Sequence, residues 1–352
     1  MIPLIPTPDT IPTHWAYFQF FLLLTFPLHL LFMNALLGSS VIAIYMHLKG
    51  SQKPQALAYE LAKVIPLLIA LTVNLGVAPF LFLQVLYGHL VYSSSVLMGM
   101  FWLMVIPVLL TAYYAAYWYD FKFFTLGRYG IAILFFALLG FLYIGFMLSN
   151  NMTFMLHPET WDAYLDDSRG TILNTADVTL WPRYLHFMIG GTAVGGLFVS
   201  LYGRWLARRD RLLGDYASAV GMRLFLGVTL VQIAVGIWFF LALPKAQRML
   251  FMGGNNLATF CFVIALLLLA TLLVTAFKKM IYTTTAVLFG LVCTMVLMRD
   301  FVRSGYLQEY FTLEMLKVAP EYSPLILFLT TLIVGLALVV WMVRAALTRC
   351  SD

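Results

Sequence analysis

Nine times in this chain the sequence runs apolar for about 20 residues or more, the length that spans the hydrocarbon core of a bilayer as a helix. That recurrence constrains the fold more than any motif. Only a helix satisfies every backbone group within one segment, so runs of this kind predict a polytopic all-α membrane bundle. The runs fall at about 15–46, 60–90, 95–119, 129–150, 184–206, 221–243, 257–277, 280–298 and 323–345. With 62% hydrophobic and 10% charged residues, no aqueous fold has interior enough to hide the apolar surface. The first run is too long and too poor in preceding basic residues for a cleavable leader, and is read as a span. The chain is read as one transmembrane domain, 1–352, with one sizeable polar loop at 151–183 and no internal repeat evident in the sequence.

Basic residues set the orientation. With the N-terminus outside, the inner segments carry thirteen: Lys49, Lys53, Lys122, Arg128, Arg204, Arg208, Arg209, Arg211, Arg223, Lys278, Lys279, Arg344 and Arg349. The outer segments carry seven, Arg169, Arg183, Lys245, Arg248, Arg299, Arg303 and Lys317, together with ten of the fifteen acidic residues. The N-terminus is therefore expected on the periplasmic side and the C-terminus in the cytoplasm. The three cysteines are scattered and form no C-x-x-C-H, which excludes covalent c-type haem and a cysteine-ligated zinc or iron–sulfur site. Walker, dinucleotide-binding and H-E-x-x-H patterns are missing from the sequence, and no nucleic-acid partner is expected.

Chemistry then rests on the six histidines. An imidazole at membrane depth is costly without a partner and is a functional candidate by default. His29 lies mid-depth in the first run, His89 at the outer end of the second, and His186 about one turn into the fifth. His14, His47 and His157 read as interfacial or loop residues. Four and seven residues beyond His186, on its own helical face, stand Gly190 and Ala193, a strip bare enough for a planar macrocycle. Gly191 and Gly195 form a second small stripe, read as close helix packing. A low-spin haem iron takes a sixth ligand, usually Met or His. Met252, with Met249 second, lies on the expected outer side, where Arg248, Arg299 and Arg303 are placed to pair with haem propionates.

Three stretches carry a resemblance: "HLLFMNALLG" from His29, "NLGVAPFLFLQVLYG" from Asn74, and "YLHFMIGGTAVGGLFVSLYGRWLARRD" from Tyr184. In order, helix and side they resemble subunit I of the cytochrome bd quinol oxidases, a nine-helix haem protein. The likeness covers residues 15–210, and beyond them topology alone. It implies that His186 ligates a low-spin haem b, that His29 ligates a high-spin type haem, and that Met252 is the counterpart of the family's methionine ligand. Two or three b haems, a quinone or quinol, and a bacterial inner-membrane location follow from the same resemblance.

The departures define the expected function. The third run lacks the family's paired glutamates for proton delivery and has only Asp120, at its inner end. The quinol loop is cut to "LPKAQRMLFMGGNN", and "MRDFVRSGYL" stands where the family has Gly-Arg-Gln-Pro-Trp. His89 has no family counterpart, and is expected to cap the iron held by His29. The sequence is thus read as a haem b electron-transfer subunit of a quinol-linked oxidoreductase complex, exchanging electrons between the quinone pool and a periplasmic c-type cytochrome. A quinol:oxygen oxidase subunit is the alternative, and a haem-free anchor or transport subunit the second alternative.

Overall fold

The computed structural model describes residues 4–349 and is helical throughout, with nine helices long and apolar enough to cross a membrane. They are α1 (Trp15–Lys49), α2 (Gln52–Leu97), α3 (Gly99–Phe121), α4 (Tyr129–Leu156), α5 (Leu180–Leu206), α6 (Arg211–Ala242), α7 (Asn256–Phe277), α8 (Ile281–Leu307) and α9 (Ser323–Arg349). Every expected span is present, but α2, α6 and α8 outrun their apolar cores, because polar flanks continue as helix where water replaces lipid. The polar loop shrinks from 151–183 to 157–179 because α4 and α5 also run past their expected ends at 150 and 184.

Local chemistry sets the ends. Gly50 takes the left-handed conformation (φ 64°) that closes α1, while Asp210 and Asn255 cap α6 and α7 by accepting from Leu213 N and Ala258 N, both at 3.0 Å. Tyr87 is non-helical (φ −130°, ψ 23°) and bends α2 near its loop end.

Helix contacts fall into antiparallel pairs: α1 with α2, α3 with α4, α5 with α6, and α7 with α8. At the centre α1 packs on α5 through glycine. A Cβ on Gly38 would stand 2.5 Å from Gly195 Cα, closer than real side chains come, and 3.0 Å from Gly191 O. Gly191 in turn faces Asn34 and Leu37. Residues 34 and 38 therefore meet 191 and 195 in the same direction, so α1 and α5 run parallel. The α5–α6 pair is bound by Ser200 and Ser218, each hydroxyl donating to the other's carbonyl at 2.7 and 3.0 Å.

These contacts expose a repeat that the sequence hides. The pair α1–α2 corresponds to α5–α6, and α3–α4 to α7–α8. As α4 touches both α1 and α5, so does α8. At a shift of 157 residues, Leu28-His29, Gly38 and Tyr45 of α1 fall on Leu185-His186, Gly195 and Tyr202 of α5. Helix α9 stands outside this arrangement, and no residue of its Leu325–Ala345 span is buried. Near the loop end, the N-terminal segment pairs with the stretch before α9 through Ile11 N to Lys317 O and Ala319 N to Ile11 O, both 2.9 Å.

Candidate functional site

His29 is held by α2. Its ring Nδ1 lies 3.0 Å from the carbonyl oxygen of Thr72. A carbonyl only accepts, so Nδ1 carries the proton and Nε2 keeps its lone pair. One turn on from Thr72, Gly76 makes room for the ring: a Cβ there would stand 2.7 Å from Cε1 and 2.8 Å from Nδ1. Donation from Nδ1 to a backbone carbonyl is the second-shell arrangement that orients an imidazole for a metal at Nε2. The residues at His29 fit a haem iron.

His186 is held by α6 in the corresponding way, but with the opposite polarity. The Gln232 amide Nε2 donates to the His186 carbonyl oxygen (2.8 Å) and to ring Nδ1 (2.9 Å). An amide oxygen in that place would oppose the carbonyl oxygen, so the nitrogen is favoured there. Nδ1 then accepts, and the neutral ring carries its proton on Nε2, where an iron would bind. Gln232 Oε1 is buried without a partner among the described residues. Turning the amide over gives Nδ1–H an acceptor, at the cost of setting Oε1 against the His186 carbonyl. Gly236, one turn after Gln232, admits the ring, with a Cβ there 3.2 Å from Cε1.

The bare strip expected beside His186 is filled. A Cβ on Gly190 would meet Gln232 Nε2 at 2.9 Å, and Ala193 is buried in an apolar cluster with Leu197 and Phe225. Gly190 accommodates the glutamine that holds the histidine, and offers no open face to a macrocycle in this conformation. Gly191 and Gly195 serve helix packing, as read from the sequence.

The other expected ligands lie elsewhere. His89 is thirteen residues beyond Gly76 on α2, about 20 Å of helical rise, so it does not cap an iron at His29. Its ring meets Phe311 edge-on at 4.5 Å, and its buried Nε2 has no partner among the described residues. Met252 sits in the turn Leu250–Gly254, 61% exposed. That turn offers Phe251 to the bundle instead, against Phe240 and Phe262. Arg248 reaches back to the Leu241 carbonyl at 3.4 Å.

Arg299 and Arg303 of α8 do gather, and a third arginine joins them. Arg299 stacks over Phe26 at 4.6 Å, and that ring lies 6.4 Å from the ring of His29. Arg183 lies over Phe239 at 5.6 Å, and Phe239 is 6.1 Å from the ring of His186. Each imidazole is thus joined through one phenylalanine to one arginine. Arg303 is 3% exposed, stacks over Tyr87 and pairs with Asp300, which also accepts from Gln19 Nε2 at 2.5 Å. Arg299 lies within electrostatic reach of Arg303, Arg183 and Asp300. Arg183, expected among the outer solvated charges, is buried. The one legible signal was the spacing Arg299, Arg303, Tyr306, which is one face of a helix.

Above the arginines His157, read from the sequence as a plain loop residue, closes the polar loop. Its Nδ1 meets Glu159 Oε1 at 2.7 Å and its Nε2 meets Asp177 Oδ2 at 3.2 Å. Burial works against the imidazolium, yet the two carboxylates outweigh it and hold the pKa above the ordinary 6.5. Burial likewise opposes the Asp177 charge, but hydrogen bonds from His157 and Thr179 bring its pKa down to about 2. A cleft of about 360 Å³ opens beside them, lined in part by Thr179, Pro244 and Tyr306.

Among the described residues no three of His, Cys, Asp and Glu are so placed that they could hold a metal ion. A bare metal ion has no protein-only site there, whereas a porphyrin brings four nitrogens and asks for one or two imidazoles. The sequence matches no family model and no curated protein.

Proposed function

We propose that this chain is a haem b-binding membrane electron-transfer subunit of the cytochrome bd type of fold, with His29 and His186 as the iron ligands. The observation that supports it best is the state of His29: a half-buried imidazole at membrane depth, its Nδ1–H taken by Thr72 and its Nε2 without a hydrogen-bond partner among the described residues. A bound haem supplies a one-electron redox centre. The chain supplies position. Thr72 and Gly76 orient His29, Gln232 and Gly236 orient His186, and Arg299 offers positive charge near His29 and Arg183 near His186. His186 becomes a ligand once the Gln232 amide turns over. Two such imidazoles would hold two haems, while Met252 is exposed and His89 packs on Phe311, apart from both.

The direction of function follows from what α3 carries. Its single acid, Asp120, stands one residue from the helix end, so no carboxylate lies along its membrane span to feed protons to an oxygen site. Electron transfer between the quinone pool and a c-type cytochrome on the loop side, within a complex of the bacterial inner membrane, fits better than oxygen reduction. The test is a reduced-minus-oxidised spectrum of the purified chain, with carbon monoxide and with quinol as reductant. Sharp b-type bands reduced by quinol, without oxygen consumption, support the reading. Quinol-driven oxygen uptake by the chain moves it to the oxidase class, and a spectrum without haem bands overturns it.

A further inference from the structure

The loop end of the bundle buries more positive charge than it balances. Arg183 is 6% exposed and Arg303 3%. The acid within electrostatic reach of Arg183 is Asp177, whose oxygens serve His157 and Thr179, while Asp300 is shared between Arg303 and Gln19. Three arginines thus face two engaged carboxylates. Donors are also left over: Arg183 Nε, Arg303 Nε and the Tyr306 hydroxyl are all buried, and none has a hydrogen-bond partner among the described residues. Tyr306 is one turn from Arg303 on α8, and within electrostatic reach of Arg183 on α5. Its ring packs 5.1 Å from His157, which is tied through Asp177 and Thr179 to Arg183. Buried charges and donors are normally paired, and orphans of both kinds in one place mark a missing partner.

We propose that Arg183, Arg303 and Tyr306 form a binding site for one anionic oxygen group, a carboxylate or phosphate, entering at headgroup depth at the loop end of the bundle. Arginine is suited to such groups because its donors meet both oxygens at once. Two sources offer that chemistry. A haem propionate is one, and this source rests on the function proposed above. The phosphate of an anionic lipid is the other, and is independent of it.

Two probes separate them on the full chain in detergent or nanodiscs. In the first, haemin and its dimethyl ester, which lacks the propionate charges, are titrated and followed at the Soret band. The intact chain is expected to prefer haemin by about tenfold, the worth of a charge-assisted hydrogen bond. Arg183→Gln is expected to abolish that preference, with Lys245→Gln leaving it unchanged. In the second, retention of phosphatidylglycerol over phosphatidylcholine is read by native mass spectrometry in the same variants. Haemin preference dependent on Arg183 assigns the site to a propionate. Phosphatidylglycerol retention dependent on Arg183 assigns it to lipid, and if haemin does not bind at all the anion site stands while the haem reading falls. Neither probe responding to Arg183→Gln overturns the site. Should that variant misfold, Tyr306→Phe keeps every charge and removes one donor. It is expected to weaken whichever ligand binds, and no change in either probe is again the overturning result.

Discussion

His29 and His186 stand at one level on two parallel helices, each nine residues ahead of the glycine, Gly38 or Gly195, at which α1 and α5 meet. Each is then oriented by the next helix in sequence, through a polar residue and a glycine four positions later: Thr72 and Gly76 for His29, Gln232 and Gly236 for His186. Shared depth and mirrored support make the two imidazoles counterparts within a repeated unit. The hydrogen-bond polarity at Nδ1 is what separates them.

The glycine contact fixes that level. A Cβ on Gly38 meets backbone, which has no rotamer to yield, so Gly38→Ala is expected to destabilise the chain by about 1–3 kcal/mol or more. Thermal unfolding in detergent measures it. Gly227→Ala, which meets nothing within 4 Å, is the control and is expected to leave stability unchanged or slightly higher.

At His29 the decisive residue is Gly76. Gly76→Ala drives a methyl into the imidazole, and is expected to displace the ring and remove one of the two haems while leaving the other. Gly88→Ala on the same helix meets only ordinary contact, 3.4 Å from the Tyr92 ring, and both haems are expected to stay. Haem-to-protein ratio reads both.

Gln232→Glu exchanges a donor for an acceptor beside Nδ1 of His186. The ring is then expected to carry its proton on Nδ1 and to present a more basic Nε2 to iron. A redox titration should show the haem at this site moved to lower potential, by tens of millivolts, as about 59 mV corresponds to one tenfold step in affinity for a one-electron couple. An unchanged potential would mean that Gln232 does not set the state of His186.

The loop 157–179 is expected to be tightest in a window of pH. His157 has a raised pKa, so its contribution is complete below 6.5 and fades as pH rises through the raised value. Glu159 and Asp177 are lowered, so theirs is complete above about 4.5 and is lost as pH falls, for Asp177 toward about 2. Amide exchange in the loop, corrected for its intrinsic pH dependence, should be slowest between about 4.5 and 6.5. His157→Gln is expected to abolish the rise on the alkaline side.

The spans were readable because hydrophobic length alone decides what crosses a bilayer. The repeat was not, since besides two leucines only one histidine, one glycine and one tyrosine coincide between α1 and α5 among otherwise interchangeable apolar residues. His29 and His186 stood out as polar groups in apolar runs. Arg183 did not, because it follows a polar loop and lies over Phe239 of α6, a distant part of the chain. Gln232 and Thr72 carry no signal of their own, as each matters only through a partner on another helix. Gly190 shows the opposite error: its bareness was plain, but the residue that fills it comes from α6.

The most direct measurement is a pyridine haemochrome count on the purified chain and on His29→Ala and His186→Ala. Two b haems per chain, falling to one in each single variant and to none in the double, is the expected result. A chain without haem, or one whose haem content is unchanged when both histidines are removed, contradicts the assignment of His29 and His186 as ligands.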